Sequence, residues 1–230
     1  ASAQVTTSSM SGRVADTDGQ PIIGATIVAV HTPTGTQYAT ASTRNGQFNL
    51  GGMRVGGPYD VEVSFIGCNT EKIEGIYLTI GEEATLDFVL REDSQSIGEV
   101  VVVGKANPVF NANRTGAQEV VTLEMMEKLP TTSRSLDEFV KLTPMSSGKN
   151  FAGTSYRFNN VTVDGASFNN SFGLSSALGA QGTEPISLES IEQVQVMIAP
   201  YDVRNGGFTG GGINSVTKSG TNEWHASAYM

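Results

Sequence analysis

Four consecutive valines, Val100 to Val103, constrain the fold of this chain more than any other stretch. β-Branched side chains at this density favour an extended backbone, and a run that is apolar on both faces is typical of a strand inside a sheet. The flanks are polar, however: residues 91–95 are hydrophilic, and Pro108 ends any strand that follows the valines. The pattern leaves two interpretations open, a strand that awaits a partner strand and the last strand of the preceding domain.

Length and composition narrow the class of protein. A chain of 230 residues can form one large or two modest domains. Its 27 glycines and 16% charged residues indicate β structure with tight turns. A formal net charge of -9, without a basic cluster, argues against nucleic-acid binding. The first residues, Ala1 to Gln4, have the small-x-small form that ends a secretory signal peptide, and they fit a cloning remnant equally well.

The residues that most often bind metals or take part in catalysis do not belong to recognisable motifs in this sequence. Cys68 is the single cysteine and is expected to be a small buried side chain. His31 and His225 belong to no zinc motif, and the Asp-x-Asp-Gly at residues 16–19 lacks the glutamate of a calcium loop. The glycine-rich residues 206–212 fit neither a P-loop nor a dinucleotide fingerprint, so we expect backbone geometry to explain them. We therefore expect no metal, no cofactor and no enzymatic activity.

Residues 11–92 predict a small β-sandwich. Apolar side chains alternate at Tyr59, Val61 and Val63, as in a strand with one buried face. Short strands separated by turn residues are typical of antiparallel sandwiches. Seven strands are predicted, at residues 11–14, 25–31, 35–41, 46–50, 59–66, 71–76 and 84–90.

The same region resembles a known family. The matching pieces are residues 12–14, 18–28, 43–48 and 63–67, and they resemble the carboxypeptidase-regulatory-like domain. The resemblance implies a seven-stranded transthyretin-like, Ig-like β-sandwich and, despite the name of the family, no peptidase activity.

After the valines the pattern changes to a mixture of strands and short helices. Asp164 precedes Gly165, and we expect this aspartate to stabilise a turn. Strands are predicted at residues 119–122, 159–163, 193–198 and 213–217, and helical segments at 122–129, 136–142 and 186–192.

Taken in order, residues 108–220 resemble the plug domain of TonB-dependent outer-membrane transporters. The matching pieces are residues 129–144, 161–165, 186–198 and 211–220. In the same interpretation residues 99–104 resemble the TonB box, the segment that the energising partner captures as an added strand. The order sandwich, box, plug resembles the SusC/RagA-like and Oar-like receptors of Bacteroidetes. Arg157-Phe158-Asn159 stands where the common plug pattern has an arginine-glycine pair.

The resemblance implies a mainly β chain with α+β character, a β-sandwich followed by a mixed α/β plug domain. Its function would be to gate nutrient uptake at the periplasmic side of a Gram-negative outer membrane. The implied partners are the TonB C-terminal domain, the chain's own outer-membrane β-barrel and a surface lipoprotein. TonB-binding residues would be Glu99, Val100, Val101, Val102, Val103 and Gly104. Substrate-facing residues would be Arg157, Asn159, Asn160, Asn169 and Asn170.

The predicted organisation has five parts, and a barrel is expected to follow the last one. They are an N-terminal tail at residues 1–10, the sandwich at 11–92, a linker with the box at 93–107, the plug at 108–222 and the start of a first barrel strand at 223–230. The alternative function is a secreted adhesion or carbohydrate-binding sandwich, in which the valines would be a protected strand rather than an accessible segment.

Overall fold

The computed structural model forms two compact units, each built mainly of strands. This confirms the predicted mainly β class. The first unit holds residues 7–92 and 100–102, and the second lies between residues 117 and 219. The residues that the structure describes are 6–92, 100–102, 117–122, 125, 128, 136–148, 150–169, 186–198, 209–221 and 224.

The first unit is the predicted β-sandwich. Its strands are β1 (Ser8–Asp16), β2 (Thr26–His31), β3 (Thr36–Ala41), β4 (Gln47–Met53), β5 (Gly56–Ser64), β6 (Glu71–Leu78), β7 (Glu83–Thr85), β8 (Phe88–Leu90) and β9 (Val100–Val102). One sheet has the order β4-β1-β7, with β8 also on β1, and the other has the order β3-β2-β5-β6-β9. Buried side chains from both sheets form one core, among them Met10, Val14, Phe48, Ile27, Val61 and Ile76.

Strand β1 changes partners along its length. Its first half pairs in parallel with β7, and its second half pairs in parallel with β8. The prediction of one strand over residues 84–90 is therefore wrong, because β7 ends at Thr85 and β8 begins at Phe88, although the Leu86 N–H still donates to the Ser11 carbonyl at 2.9 Å. The Arg13 N–H instead donates to Asp87 Oδ1 at 3.0 Å. At this crossing the backbone of Leu86 lies so close to Gly12 that a Cβ there would overlap the Leu86 carbonyl.

We expect Gly12→Ala to lower the free energy of unfolding of the first unit by about 1–3 kcal/mol, the usual cost of forcing atoms into a packed site. The matched control is Gly51→Ala on the neighbouring strand β4, where an added Cβ would meet only Asn49 Oδ1, at 3.8 Å. The control should change stability by less than about 0.5 kcal/mol. Denaturant-dependent hydrogen exchange of the Ile27 and Val61 amides measures the stability of both variants. Equal losses of stability in the two variants would contradict the close approach of the Leu86 backbone to Gly12.

The second unit contains a five-stranded sheet in the order β10-β15-β16-β13-β14. Strands β13 and β16 are parallel, and the other pairs are antiparallel. Its elements are β10 (Ala117–Thr122), α1 (Leu136–Val140), β11 (Ser146–Ser147), β12 (Asn150–Phe151), β13 (Asn160–Val163), β14 (Ala166–Ser167), β15 (Ile191–Ile198) and β16 (Gly211–Thr217), with short 3-10 turns at Tyr156–Phe158 and Leu188–Ser190.

The apolar face of this sheet packs on helix α1. Val121, Val194, Val196 and Ile213 from the sheet form one buried cluster with Leu136 of the helix. The predicted helix at residues 136–142 is present but ends at residue 140. Of the helix predicted at residues 122–129, three residues are described: Thr122 ends strand β10, so the helix does not begin there, and residues 125 and 128 are helical. Within the described residues, no helix has the length and apolar character needed to cross a membrane.

The turn between β13 and β14 has the role expected from its sequence. Asp164 and Gly165 both adopt positive φ, at 48° and 80°, as a tight hairpin of this kind requires. The Asp164 carboxylate accepts hydrogen bonds from the backbone N–H of Thr217 at 2.9 Å and from its hydroxyl at 2.7 Å. The aspartate therefore stabilises the turn and ties it to the end of β16.

Candidate functional site

The valine strand β9 lies on the edge of the second sheet of the sandwich. It pairs in parallel with β6, with Glu71 opposite Val100, Lys72 opposite Val101 and Ile73 opposite Val102. Of the two interpretations that the sequence left open, the structure has β9 in the position of a last sandwich strand. The physical reason is that an open sheet edge satisfies backbone groups that an isolated strand leaves to water. Glu99, Val103 and Gly104 lie outside the described residues.

An irregularity in β6 lies next to the stretch that pairs with β9. Gly75 has a φ of 76°, and the register between β5 and β6 shifts between the Tyr59 and Val61 pairs. Such irregularities bend a strand and increase its local twist. In the part of the chain that the structure describes, three residue pairs join β9 to β6, and all of them precede Gly75. Among the described strands, none lies on the far side of β9, so this sheet ends there.

Charged side chains surround the residues that hold β9. The Val89 N–H donates to Glu71 Oε2 at 3.2 Å, which links β8 to the start of β6. Burial raises the pKa of Glu71, and the nearby Arg91 offsets this only in part. Lys72 Nζ lies 2.6 Å from Glu74 Oε1 and 3.7 Å from Asp60 Oδ2. These partly exposed pairs contribute little stability.

We expect Glu71→Gln to stabilise the first unit slightly at pH 7 and to lose this advantage as the pH falls towards 4. Because the folded state raises the pKa of Glu71, it favours the protonated form, so ionisation costs stability as the pH rises through the raised value. Glutamine keeps an acceptor for the Val89 N–H and removes the charge. Stability measured at both pH values, with Glu74→Gln as the exposed control, checks this. An advantage that grows below pH 5 would contradict it.

The residues expected to face a substrate divide into exposed and buried positions. Arg157 is exposed, with its Cζ 5.9 Å from the centre of the Tyr156 ring, and Asn169 is also exposed. Asn159 and Asn160 are each only 8% exposed, so they present little surface to a substrate. Asn170 lies outside the described residues.

The buried asparagines hold the protein backbone together. Asn159 Oδ1 accepts a hydrogen bond from the N–H of Gly211 at 3.0 Å, joining the start of β13 to β16. Asn169 Nδ2 donates to Asn160 Oδ1, and Asn169 Oδ1 accepts from the Val161 N–H at 2.8 Å. Amide side chains suit this task because each carries both donors and an acceptor. Within this group, Arg157 and Asn169 are the described residues that are exposed.

Close packing explains Gly210 and Gly211, two of the glycines of residues 206–212 that the structure describes. A Cβ on Gly210 would collide with Asn159 Oδ1, and a Cβ on Gly211 would fall within the ring of Phe151, which is fully buried. Because these two glycines have no Cβ, the backbone can approach its neighbours closely there. This agrees with the expectation that backbone geometry explains them.

We expect Asn159→Ala to destabilise the second unit by about 1–3 kcal/mol, because it leaves the buried Gly211 N–H without its acceptor. Arg157→Ala, on the exposed side of the same turn, should change stability by less than about 0.5 kcal/mol. Exchange of the Val194 amide in β15 as a function of denaturant measures both. If the Asn159→Ala variant keeps full stability, the structural role of Asn159 is contradicted and the residue is again a candidate for contact with a cargo.

Titratable groups with perturbed environments do not converge on a reaction centre. His31 is buried, stacks at 4.8 Å on the Tyr59 ring, and has its Nδ1 2.7 Å from Thr34 Oγ1. Burial lowers the pKa of His31, and burial raises the pKa of the Cys68 thiol. In the part of the chain that the structure describes, no group of three or more acidic, histidine or cysteine side chains is arranged to hold a metal ion. The chemistry best supported by this arrangement is strand addition at a sheet edge.

Sequence reasoning found the valine strand but did not predict that its neighbour is β6. Which of seven similar strands lies at the edge of a sheet depends on topology, and nothing in the local sequence of β6 marks it. The buried role of Asn159 also depends on topology, since this residue directly precedes a strand whose parallel neighbour begins with glycines.

Comparison with known proteins agrees with the class of the first unit. Residues 9–91 match the carboxypeptidase regulatory-like domain. The match covers all of β1 except its first residue and continues past β8.

A longer stretch is similar to one characterised protein. The chain is 28% identical over 148 residues to the TonB-dependent transporter Oar of Myxococcus xanthus. This alignment covers 59% of this chain and 13% of the transporter. The chain thus corresponds to a small part of the length of this relative.

Similarities to solved structures are weak. A putative carbohydrate-binding protein from Bacteroides uniformis has a TM-score of 0.30 at 18% identity, covering 36% of this chain and 40% of that one. A catechol 1,2-dioxygenase from Acinetobacter radioresistens has a TM-score of 0.32 at 14% identity, covering 44% and 57%. Likenesses at this level say nothing about function.

Proposed function

We propose that this chain is the periplasmic and plug part of a TonB-dependent outer-membrane transporter of the SusC/RagA-like or Oar-like type. It gates the uptake of a nutrient through its own β-barrel and performs no catalysis. The sandwich stands on the periplasmic side, the valine strand is the TonB-binding segment, and the second unit is the plug. A surface lipoprotein on the outer side is part of the same proposal.

One observation carries this proposal: the similarity to the transporter Oar is longer than the sandwich. The alignment extends over 148 residues, whereas the domain match ends at residue 91. The relative is therefore similar to this chain beyond the widespread sandwich domain. The order of parts, with a valine strand between the sandwich and a unit built on a mixed sheet, supports the same function.

Backbone pairing is the proposed means of coupling. A captured strand donates and accepts hydrogen bonds along its length, and each one contributes only about 0.5–1.5 kcal/mol net. A pairing of four or five such bonds is reversible, which suits a contact that forms on demand. Because the backbone does the binding, a run of valines serves as well as a specific sequence. A pull on this segment would pass along the chain to β10, the first strand of the second unit.

The exposed residues of the second unit that could meet a cargo are Arg157 and Asn169. A guanidinium and an amide suit polar ligands such as glycans or peptides.

We expect Val101→Pro to weaken binding of the chain to a TonB C-terminal domain by at least about tenfold. Proline removes a backbone N–H from the middle of the segment and does not fit a strand interior. The matched control, Val101→Thr, keeps the β-branched shape and the backbone N–H, so it should bind within about twofold of the wild type. Isothermal titration calorimetry measures the affinity of the wild type and of both variants for the TonB C-terminal domain.

A larger change tests the same segment in another way. Deletion of Val100 to Val103 should abolish binding while both units stay folded, because β6 remains paired with β5 on its other side. Undiminished binding after this deletion would remove the TonB-binding assignment. Circular dichroism confirms that the folded structure is intact.

A further inference from the structure

Strand β3 forms an open edge of the sandwich, on the side of its sheet opposite β9. It pairs with β2 over six residues without a shift of register, and among the described strands none lies on its other side. The strand contains no charged residue and no proline. Proteins usually protect such edges with charges, prolines, bulges or very short strands. Because β3 has none of these features, it is suited to pair with a further strand.

The backbone groups that β3 leaves open follow from its pairing with β2. Directly after β3, the Ser42 N–H donates to the Ala25 carbonyl at 2.9 Å. Hydrogen-bonded pairs alternate along an antiparallel ladder, so the even-numbered residues of β3 direct their N–H and C=O groups to β2. The odd-numbered residues direct theirs away from the sheet, and their side chains are exposed; they are Gln37, Ala39 and Ala41.

We propose that β3 is a self-association edge, at which two copies of this chain pair antiparallel about a two-fold axis at Ala39. In this register Ala39 lies opposite Ala39 of the second copy, and Gln37 lies opposite Ala41. All three residues with outward-facing backbone groups then form hydrogen-bonded pairs. The two five-stranded sheets join into one continuous sheet. The proposal stands apart from the transport function and can fail without it.

The side chains of β3 fit this pairing on both faces of the sheet. On the outer face, the small Ala39 side chains meet at the axis without steric conflict. On the inner face, Tyr38 lies opposite Thr40 of the second copy, and aromatic side chains opposite β-branched ones stabilise antiparallel pairs. Tyr38 already packs against the core of its own sandwich, so this position is ordered before the copies meet.

The distribution of charge favours a second copy as the partner. The chain has a formal net charge of -9, so two copies repel each other where their acidic surfaces meet. Residues 20–53, which include β3, contain a single charged residue, Arg44. Residues 54–92 contain eight acidic and three basic residues. Two copies can therefore meet at β3 without placing acidic groups opposite each other.

Sedimentation equilibrium of the chain from about 1 µM to about 1 mM, the range expected for a small interface, tests the association. We expect a reversible equilibrium between monomer and dimer. As the dimer forms, hydrogen exchange of the Gln37, Ala39 and Ala41 amides should slow by about tenfold. The Val28 amide, inside the sheet on β2, is the internal control. A chain that stays monomeric, or a dimer in which the three amides stay unprotected, would overturn the proposal.

A proline at the centre of the edge separates association from folding. Ala39→Pro removes an outward-facing N–H and no hydrogen bond to β2, and proline is tolerated on an edge strand whose N–H faces solvent. Association should weaken by at least about tenfold, with exchange of the Val28 amide unchanged. The matched control, Ala39→Thr, keeps the N–H and suits a strand, so it should associate within about twofold of the wild type. Association of the proline variant at wild-type strength would contradict the proposal.

An exchange of charges tests the register without relying on the proline variant. Ala39→Lys and Ala39→Glu each place like charges opposite each other at the axis, so each variant alone should stay monomeric where the wild type dimerises. An equimolar mixture places opposite charges there and should restore association to within about threefold of the wild type. A mixture that stays monomeric, or single variants that associate as the wild type does, would overturn the pairing at Ala39.

Discussion

Backbone pairing at strand edges is the constraint on which the rest of this structure depends. Each strand carries unpaired N–H and C=O groups that need partners, and strand β1 meets this need for one whole sheet. It pairs with β4 on one side and with β7 and then β8 on the other. The change of partner brings the Leu86 backbone against Gly12, so this one glycine makes the arrangement possible. The opposite sheet has the same need at its edge, and there the valine strand meets it.

Sequence patterns predicted the strands of the sandwich well, because each has one buried face and turn residues at its ends. Tyr59, Val61 and Val63 alternate in sequence and are all fully buried in the structure. The patterns failed where pairing depends on another part of the chain. The break between β7 and β8 depends on their pairing with β1, and no feature of the sequence of residues 84–90 predicts it.

The candidate site shows the same division. Composition identified Val100–Val102 as a strand, and topology decided that its neighbour is β6. Among the residues expected to face a substrate, asparagine content suggested exposed hydrogen-bonding loops, yet Asn159 holds a buried backbone group of β16. An asparagine that binds a ligand and one that binds its own backbone have the same sequence signature, since the amide is suited to both. Only burial and partners separate the two roles.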